Sequence, residues 1–184
     1  ATLPPQAESM SPYMDWSAGV YQAVVDNNWE IYLMNASQEV RLTYHGAMDI
    51  EPRLNRGATK IVFASNRSGD FYQIFTMNLD GTGVTRLTST NADNGNPAWS
   101  PDGNKIAFES YRDGQAEIYV MDANGANQRR LTWADGPDTT PVWSPDGTQI
   151  AFSSARTGGY RIWVMQADGN QAHQMTTQPY SFYP

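Results

Sequence analysis

A period near 44 residues constrains this chain more than any other feature. PAWSPDGNKIAF at 97–108 returns as PVWSPDGTQIAF at 141–152, and a looser copy, PRLNRGATKIVF, occupies 52–63. The phase persists further along each unit. EIYVMD (117–122) corresponds to RIWVMQ (161–166), QIFTMN (73–78) and EIYLMN (30–35), and each is followed by Leu131-Thr132, Met175-Thr176, Leu87-Thr88 or Leu42-Thr43. The first copy is degenerate. Trp16, within Asp15-Trp16-Ser17, stands at the place of Trp99 and Trp143, and Ser17-Ala18-Gly19-Val20 replaces the Ser-Pro-Asp-Gly segment. Self-similarity at this period marks a repeat architecture, in which each unit buries its apolar faces only against its neighbours.

Each unit reads as four short strands: Pro-x-Trp-Ser, then Ile-Ala-Phe-x-Ser, then an alternating run such as Ile118-Tyr119-Val120-Met121, then a strand ending at Leu-Thr. β-Branched and aromatic residues suit a pleated, half-buried surface, and their alternation is that of strands. In Ser100-Pro101-Asp102-Gly103, proline presets φ, the aspartate can accept from the following N–H, and glycine takes positive φ. Asp102 and Asp146 are therefore turn residues, and Asp80-Gly81, Asn124-Gly125 and Asp168-Gly169 mark hairpins. The fold class that follows is an all-β propeller of four four-stranded antiparallel blades, either closed or a portion of a larger ring. The blades are expected at about 12–43, 52–88, 97–132 and 141–176, after an extended arm at 1–11 and before a tail at 177–184. That tail looks like the approach to another blade, so the ends are expected to be covered by further blades or by a second copy. Ile106, Phe108, Ile118, Val120, Trp99 and Trp143 are the expected inter-blade core.

Composition excludes several function classes. The 184 residues carry 12 Lys and Arg against 19 Asp and Glu, a net charge of −7. An acidic chain repels phosphate backbones, so no nucleic acid is expected as a partner. Cysteine is absent, which removes disulfides, thiol nucleophiles and cysteine metal sites. No apolar run approaches the length of a membrane span, and no membrane insertion is expected. Asn35-Ala36-Ser37 and Asn66-Arg67-Ser68 match a glycosylation acceptor pattern that is too short to carry weight.

A hydrolase triad needs a histidine beside a nucleophile, and the chain offers only His45 and His173, with no Gly-x-Ser-x-Gly turn. His45 follows a fourth strand and His173 precedes one, so the pair does not make a metal site. No enzyme is expected. Counting three residues back from the first-strand prolines gives Asp49, Asn94 and Asp138, with Ser181 at the last unit. Placed in the fourth-to-first connections (44–51, 89–96 and 133–140), these oxygens could ring a calcium ion. Arg67, Arg112 and Arg156 recur at one phase in the second-to-third loops of the same face. Asp–Arg pairs fixing the blades would use the same oxygens, and that structural role is the preferred expectation. Tyr44, Trp133, Tyr180, Phe182 and Tyr183 lie in or beside the fourth-to-first connections. They could stack on carbohydrate, anchor a protein partner, or cap the core beneath the loops.

The units PAWSPDGNKIAFESYRDGQAEIYVMDANG and PVWSPDGTQIAFSSARTGGYRIWVMQADG resemble the TolB-type propeller repeat over 97–176, with a looser likeness over 52–96 and a weak one over 12–43. The resemblance implies a bacterial protein that is periplasmic, extracellular or on the cell surface. It also implies a non-catalytic role in protein interaction, assembly or self-association, with a carbohydrate- or cation-binding domain of a larger exported protein as the alternative. Relatives range from periplasmic protein-binding modules to propeller domains of serine peptidases, so the fold alone names no activity.

Overall fold

Four antiparallel sheets follow one another along the chain, in a computed structural model that describes residues 18–177. The first sheet contains β1 (Gly19–Val25), β2 (Asn28–Met34) and β3 (Glu39–Arg41). The second is β4 (Asp49–Leu54), β5 (Lys60–Ser65), β6 (Gln73–Asn78) and β7 (Thr85–Arg86). The third is β8 (Asn94–Trp99), β9 (Lys105–Ser110), β10 (Glu117–Asp122) and β11 (Arg129–Arg130). The fourth is β12 (Asp138–Trp143), β13 (Gln149–Ser154), β14 (Arg161–Gln166) and β15 (His173–Gln174). Every sheet is a plain meander, and no helix occurs among the described residues. The first sheet lacks a first strand there because the expected one, around Trp16, lies outside the described residues, as do the arm at 1–11 and residues 178–184.

A recurring turn and a recurring threonine hold the strands in register. Ser100 Oγ donates to Asp102 Oδ1 at 2.5 Å, the same carboxylate oxygen accepts the Asn104 N–H at 3.1 Å, and Gly103 closes the turn at φ 71°. Ser144, Asp146 and Thr148 repeat the arrangement. Each fourth strand stops just before Leu-Thr, not at it. The threonine hydroxyl then continues the ladder: Thr43, Thr88, Thr132 and Thr176 accept from Ile31, Ile74, Ile118 and Ile162 N–H at 2.8–3.0 Å. His173 falls inside its two-residue fourth strand instead of ahead of it.

Three apolar cores lie between the four sheets, one at each junction. Ile31, Leu42, Ile61, Phe63, Phe75 and Met77 join the first to the second sheet. Val62, Ile74, Leu87, Ile106, Phe108 and Met121 join the second to the third. Ile118, Val120, Leu131, Ile150, Phe152 and Met165 join the third to the fourth. The side chains expected in the core are there, with Trp99 and Trp143 at its rim, where they are only partly buried. Each indole N–H spans a junction, Trp99 to the Arg53 carbonyl at 3.3 Å and Trp143 to the Ala98 carbonyl at 3.2 Å. First strands of consecutive sheets touch (β4 with β8, β8 with β12), whereas the fourth strands do not, so the first strands converge on the axis and the fourth lie at the rim. No strand of the first sheet contacts a strand of the fourth among the described residues.

Candidate functional site

One end of the blades carries the second-to-third loops (26–27, 66–72, 111–116, 155–160) and the fourth-to-first loops (42–48, 87–93, 131–137), while the first-to-second turns (55–59, 100–104, 144–148) and the third-to-fourth connections (35–38, 79–84, 123–128, 167–172) occupy the other. The second-to-third loop at 66–72 is as long as the fourth-to-first connections. One expectation is corrected, that for Asp49, Asn94 and Asp138. They are not loop residues but the first residues of β4, β8 and β12, fully buried and paired in register with Ser65, Ser110 and Ser154.

The recurrent arginines are spent on these positions. Arg67 Nη2 lies 2.7 Å from both Asp49 oxygens, Arg156 Nη2 lies 2.6 Å from Asp138 Oδ2, and Arg112 Nη2 reaches Asn94 Oδ1 at 3.1 Å. Each Nε also donates to the serine opposite: Ser65 at 3.0 Å, Ser110 at 2.7 Å, Ser154 at 2.8 Å. Each guanidinium lies over two aromatic rings: Phe63 and Phe75, Phe108 and Tyr119, Phe152 and Trp163. The arginine is thus the lid of an inter-blade core, where stacking and a charged hydrogen bond act together. Asn94 Nδ2 is engaged as well, on Thr90 Oγ1 at 2.8 Å and the Ala92 carbonyl at 3.0 Å. The three positions sit on three separate strands, each with its own arginine. No group of three or more His, Cys, Asp or Glu side chains suited to a metal ion occurs among the described residues.

A second recurrent set builds the rim of the same end. Its signal was the glutamate opening EIYLMN and EIYVMD, which pattern reading treated as a strand residue only. Glu30 and Glu117 are buried, and each accepts from the threonine hydroxyl at 2.6 Å and from an arginine, Arg41 at 2.8 Å and Arg130 at 2.7 Å. Arg130 also pairs with Asp113 at 3.1 Å. Those two guanidinium groups lie under the exposed aromatics: Arg41 4.5 Å from the Tyr44 ring centre, Arg130 5.6 Å from Trp133. The loops carrying these rings are pinned. Asn28 Nδ2 donates to the His45 and Ala47 carbonyls at 2.8 and 2.9 Å, and Gln115 Nε2 to Ala134 at 2.8 Å. Tyr44 and Trp133 do not cap the core: they are 73% and 67% exposed and face solvent above the two guanidinium groups. Tyr180, Phe182, Tyr183 and Ser181 lie outside the described residues.

A third set lies at the axis. Glu51, Asn96 and Thr140 each precede the first-strand proline, each takes left-handed φ (56°, 45° and 50°), and each marks a bulge in the pairing of its strand with the second. Their N–H groups turn to side chains of the preceding sheet: Glu51 to Gln22 Oε1 at 2.5 Å, Asn96 to Glu51 Oε2 at 2.5 Å, Thr140 to Glu109 Oε2 at 3.1 Å. Burial raises the Glu51 carboxyl above its ordinary range. It raises Glu109 to about 7, with repulsion from Glu51 adding to the effect.

These features meet known proteins at the level of the repeat. The chain is 42% identical over 57 residues to a TolB homolog of Chlorobium luteolum, covering 31% of this chain and 13% of that protein. It is 37% identical over 111 residues to the uncharacterized protein Atu1656 of Agrobacterium fabrum, covering 59% and 37%. The crystal structure of TolB from Acinetobacter baumannii superposes with a TM-score of 0.71 at 23% identity, over 85% of this chain and 40% of that one. The chain therefore spans well under half the length of these relatives. Residues 89–183, just over half of the chain, match the TolB beta propeller domain, and the protein belongs to that family.

Proposed function

We propose that this chain is a non-catalytic protein-interaction module of an exported bacterial protein, working in the periplasm or at the cell surface, and that it binds through the end of the blades carrying Tyr44 and Trp133. The observation that carries the reading is the division of labour at that end. The recurrent polar groups are engaged in blade architecture, while two large aromatic side chains stand exposed on guanidinium groups fixed by buried glutamates. Rigid aromatic anchors give contact area at low entropic cost, as interface hot spots do. Binding residues concentrate in such loops on a rigid scaffold.

The test is a photo-crosslinking residue placed at Tyr44, at Trp133 or, on the opposite end, at Asp102, with the chain exposed to an envelope extract. Protein adducts from the first two positions and none from the third are expected. Adducts from Asp102 alone, or a chain retained only on polysaccharide, would overturn the assignment, the second outcome in favour of carbohydrate.

A further inference from the structure

We infer that the exposed end of the blades recognises an extended basic polypeptide segment, one that alternates lysine or arginine with aliphatic or proline side chains. The inference rests on the loop end being the binding face and adds the chemistry of the partner. Five of the ten large apolar side chains exposed among the described residues lie in the loops of this end: Tyr44, Met48, Phe71, Tyr111 and Trp133. The charge around them is mostly negative. Arg41, Arg67, Arg130 and Arg156 are neutralised within the protein by Glu30, Asp49, Glu117 and Asp138. Arg112, Arg161 and Arg86 are held by neutral oxygens, Arg112 by Asn94, Ser110 and Gln128, Arg161 by Thr157 and the Gly159 carbonyl, and the exposed Arg86 by the Thr88 carbonyl. Against them stand four exposed carboxylates, Asp26, Asp70, Asp93 and Asp135, with no ion pair among the described residues.

The guanidinium groups decide which part of a partner goes where. A ring with a guanidinium already on its inner face is a weaker seat for a second cation on its outer face, because its π density is polarised toward the first. The outer faces of Tyr44 and Trp133 are therefore suited to aliphatic or proline groups, and the cations of the partner belong on the carboxylates of the loops at the same end. A neutral glycan would use the rings and leave those carboxylates without counter-charge.

The probe is a twelve-residue synthetic peptide alternating lysine with leucine and proline, compared with versions carrying glutamine or glutamate for lysine, with affinity measured by calorimetry. The lysine peptide is expected to bind, weaken with added salt, and lose about tenfold in affinity on Trp133→Ala, the size of a hot-spot residue. Asp135→Asn and Asp93→Asn should weaken it, whereas Asp168→Asn, on the other end, should not. That last change gives blade four the Asn-Gly turn blade three already has at Asn124-Gly125, so the turn is kept while the same charge is lost. Equal binding of the lysine and glutamine peptides, or equal losses from Asp168→Asn and Asp135→Asn, would overturn the inference, the latter by showing attraction of any polycation to an acidic protein. If Tyr44 and Trp133 crosslink to protein while the lysine peptide shows no preference, only the partner chemistry fails. Absence of crosslinks at both positions removes the binding face itself.

Discussion

Gly125 packs on the carbonyl of Leu87 in the preceding blade: a Cβ placed on it would lie 2.8 Å from that oxygen. Gly81 meets the Leu42 carbonyl at 2.8 Å, and Gly169 meets that of Leu131 at 3.1 Å. The hairpin glycine is therefore also an inter-blade contact. Gly103, at φ 71° with nothing near its missing Cβ, isolates the backbone part of the cost. Gly103→Ala is expected to cost about 1 kcal/mol for an L-residue in the left-handed region. Gly125→Ala should cost at least about 1 kcal/mol more, since a backbone contact that short forces the blades apart. Urea denaturation of the two variants measures the difference, and equal midpoints would mean that the junction yields freely.

The arginine lids differ in what they leave behind. Arg156→Ala strands the Asp138 carboxylate in the interior and is expected to cost about 3–5 kcal/mol, the range for breaking a buried ion pair. Arg112→Ala strands only the neutral Asn94 amide and should cost about 1–3 kcal/mol. Adding Asp138→Asn to Arg156→Ala should recover part of the loss. A double variant no more stable than Arg156→Ala would place the cost in the lost stacking on Phe152 and Trp163.

Glu109 predicts an inverted pH dependence. Its folded carboxyl titrates near 7, above the ordinary value of 4.5, so between these limits the folded state keeps a proton that the unfolded chain gives up. Stability is then greatest at the low end of that window and falls as pH rises to about 7, by roughly 3 kcal/mol for a shift of this size. Asp80, Asp102, Asp146 and Asp168, all held below their ordinary value by turn hydrogen bonds, oppose this only at lower pH. Glu109→Gln keeps an acceptor for Thr140 and should make the fall between pH 5 and 7 shallower, leaving the part contributed by Glu51 and Asp138, which burial also raises. Thermal melts across that range decide it, and a wild-type profile unchanged by the substitution would remove Glu109 as its cause.

The aromatic platforms should be separable from the fold. Trp133 is largely exposed, so Trp133→Ala should shift stability by no more than about 0.5 kcal/mol. Glu117→Ala, which removes the buried anchor of Arg130 and the Thr132 bond, should cost about 1–3 kcal/mol. It should also raise the fast motion of the Trp133 indole seen by nitrogen relaxation. An indole equally rigid in both proteins would show that Gln115 and the loop backbone suffice.

The repeat made the blades, their turns and the arginine lids legible, because each rests on residues that recur at fixed phase in neighbouring copies. The start of each first strand was not legible. Asn94-Gly95-Asn96 and Asp138-Thr139-Thr140 have the composition of a loop. They are strands because Ser110, Ser154 and the arginines pair with their first residue, and because the preceding blade accepts the N–H of the last. Those bonds come from other blades or from residues 16–18 positions away, beyond the reach of local propensity. Tyr44 and Trp133 were visible as aromatics in loops, but their exposure followed only once Glu30 and Glu117 were seen to tether the arginines beneath them.

The left-handed residue before each first-strand proline gives the array a reading direction. The second, third and fourth blades each offer a donor backward, and the acceptor that meets it differs from junction to junction: Gln22 for Glu51, Glu51 for Asn96, Glu109 for Thr140. Ala64, at the second-strand place held by Gln22 and Glu109, can offer nothing, so the second blade answers from its own bulge. Similar as their sequences are, the blades are therefore not interchangeable words. A chain with its second and third units transposed would keep every strand and every turn and would still set an acceptor before each N–H, yet no junction would keep the side chain that answers it now, so each seam is signed at the axis by a single side chain.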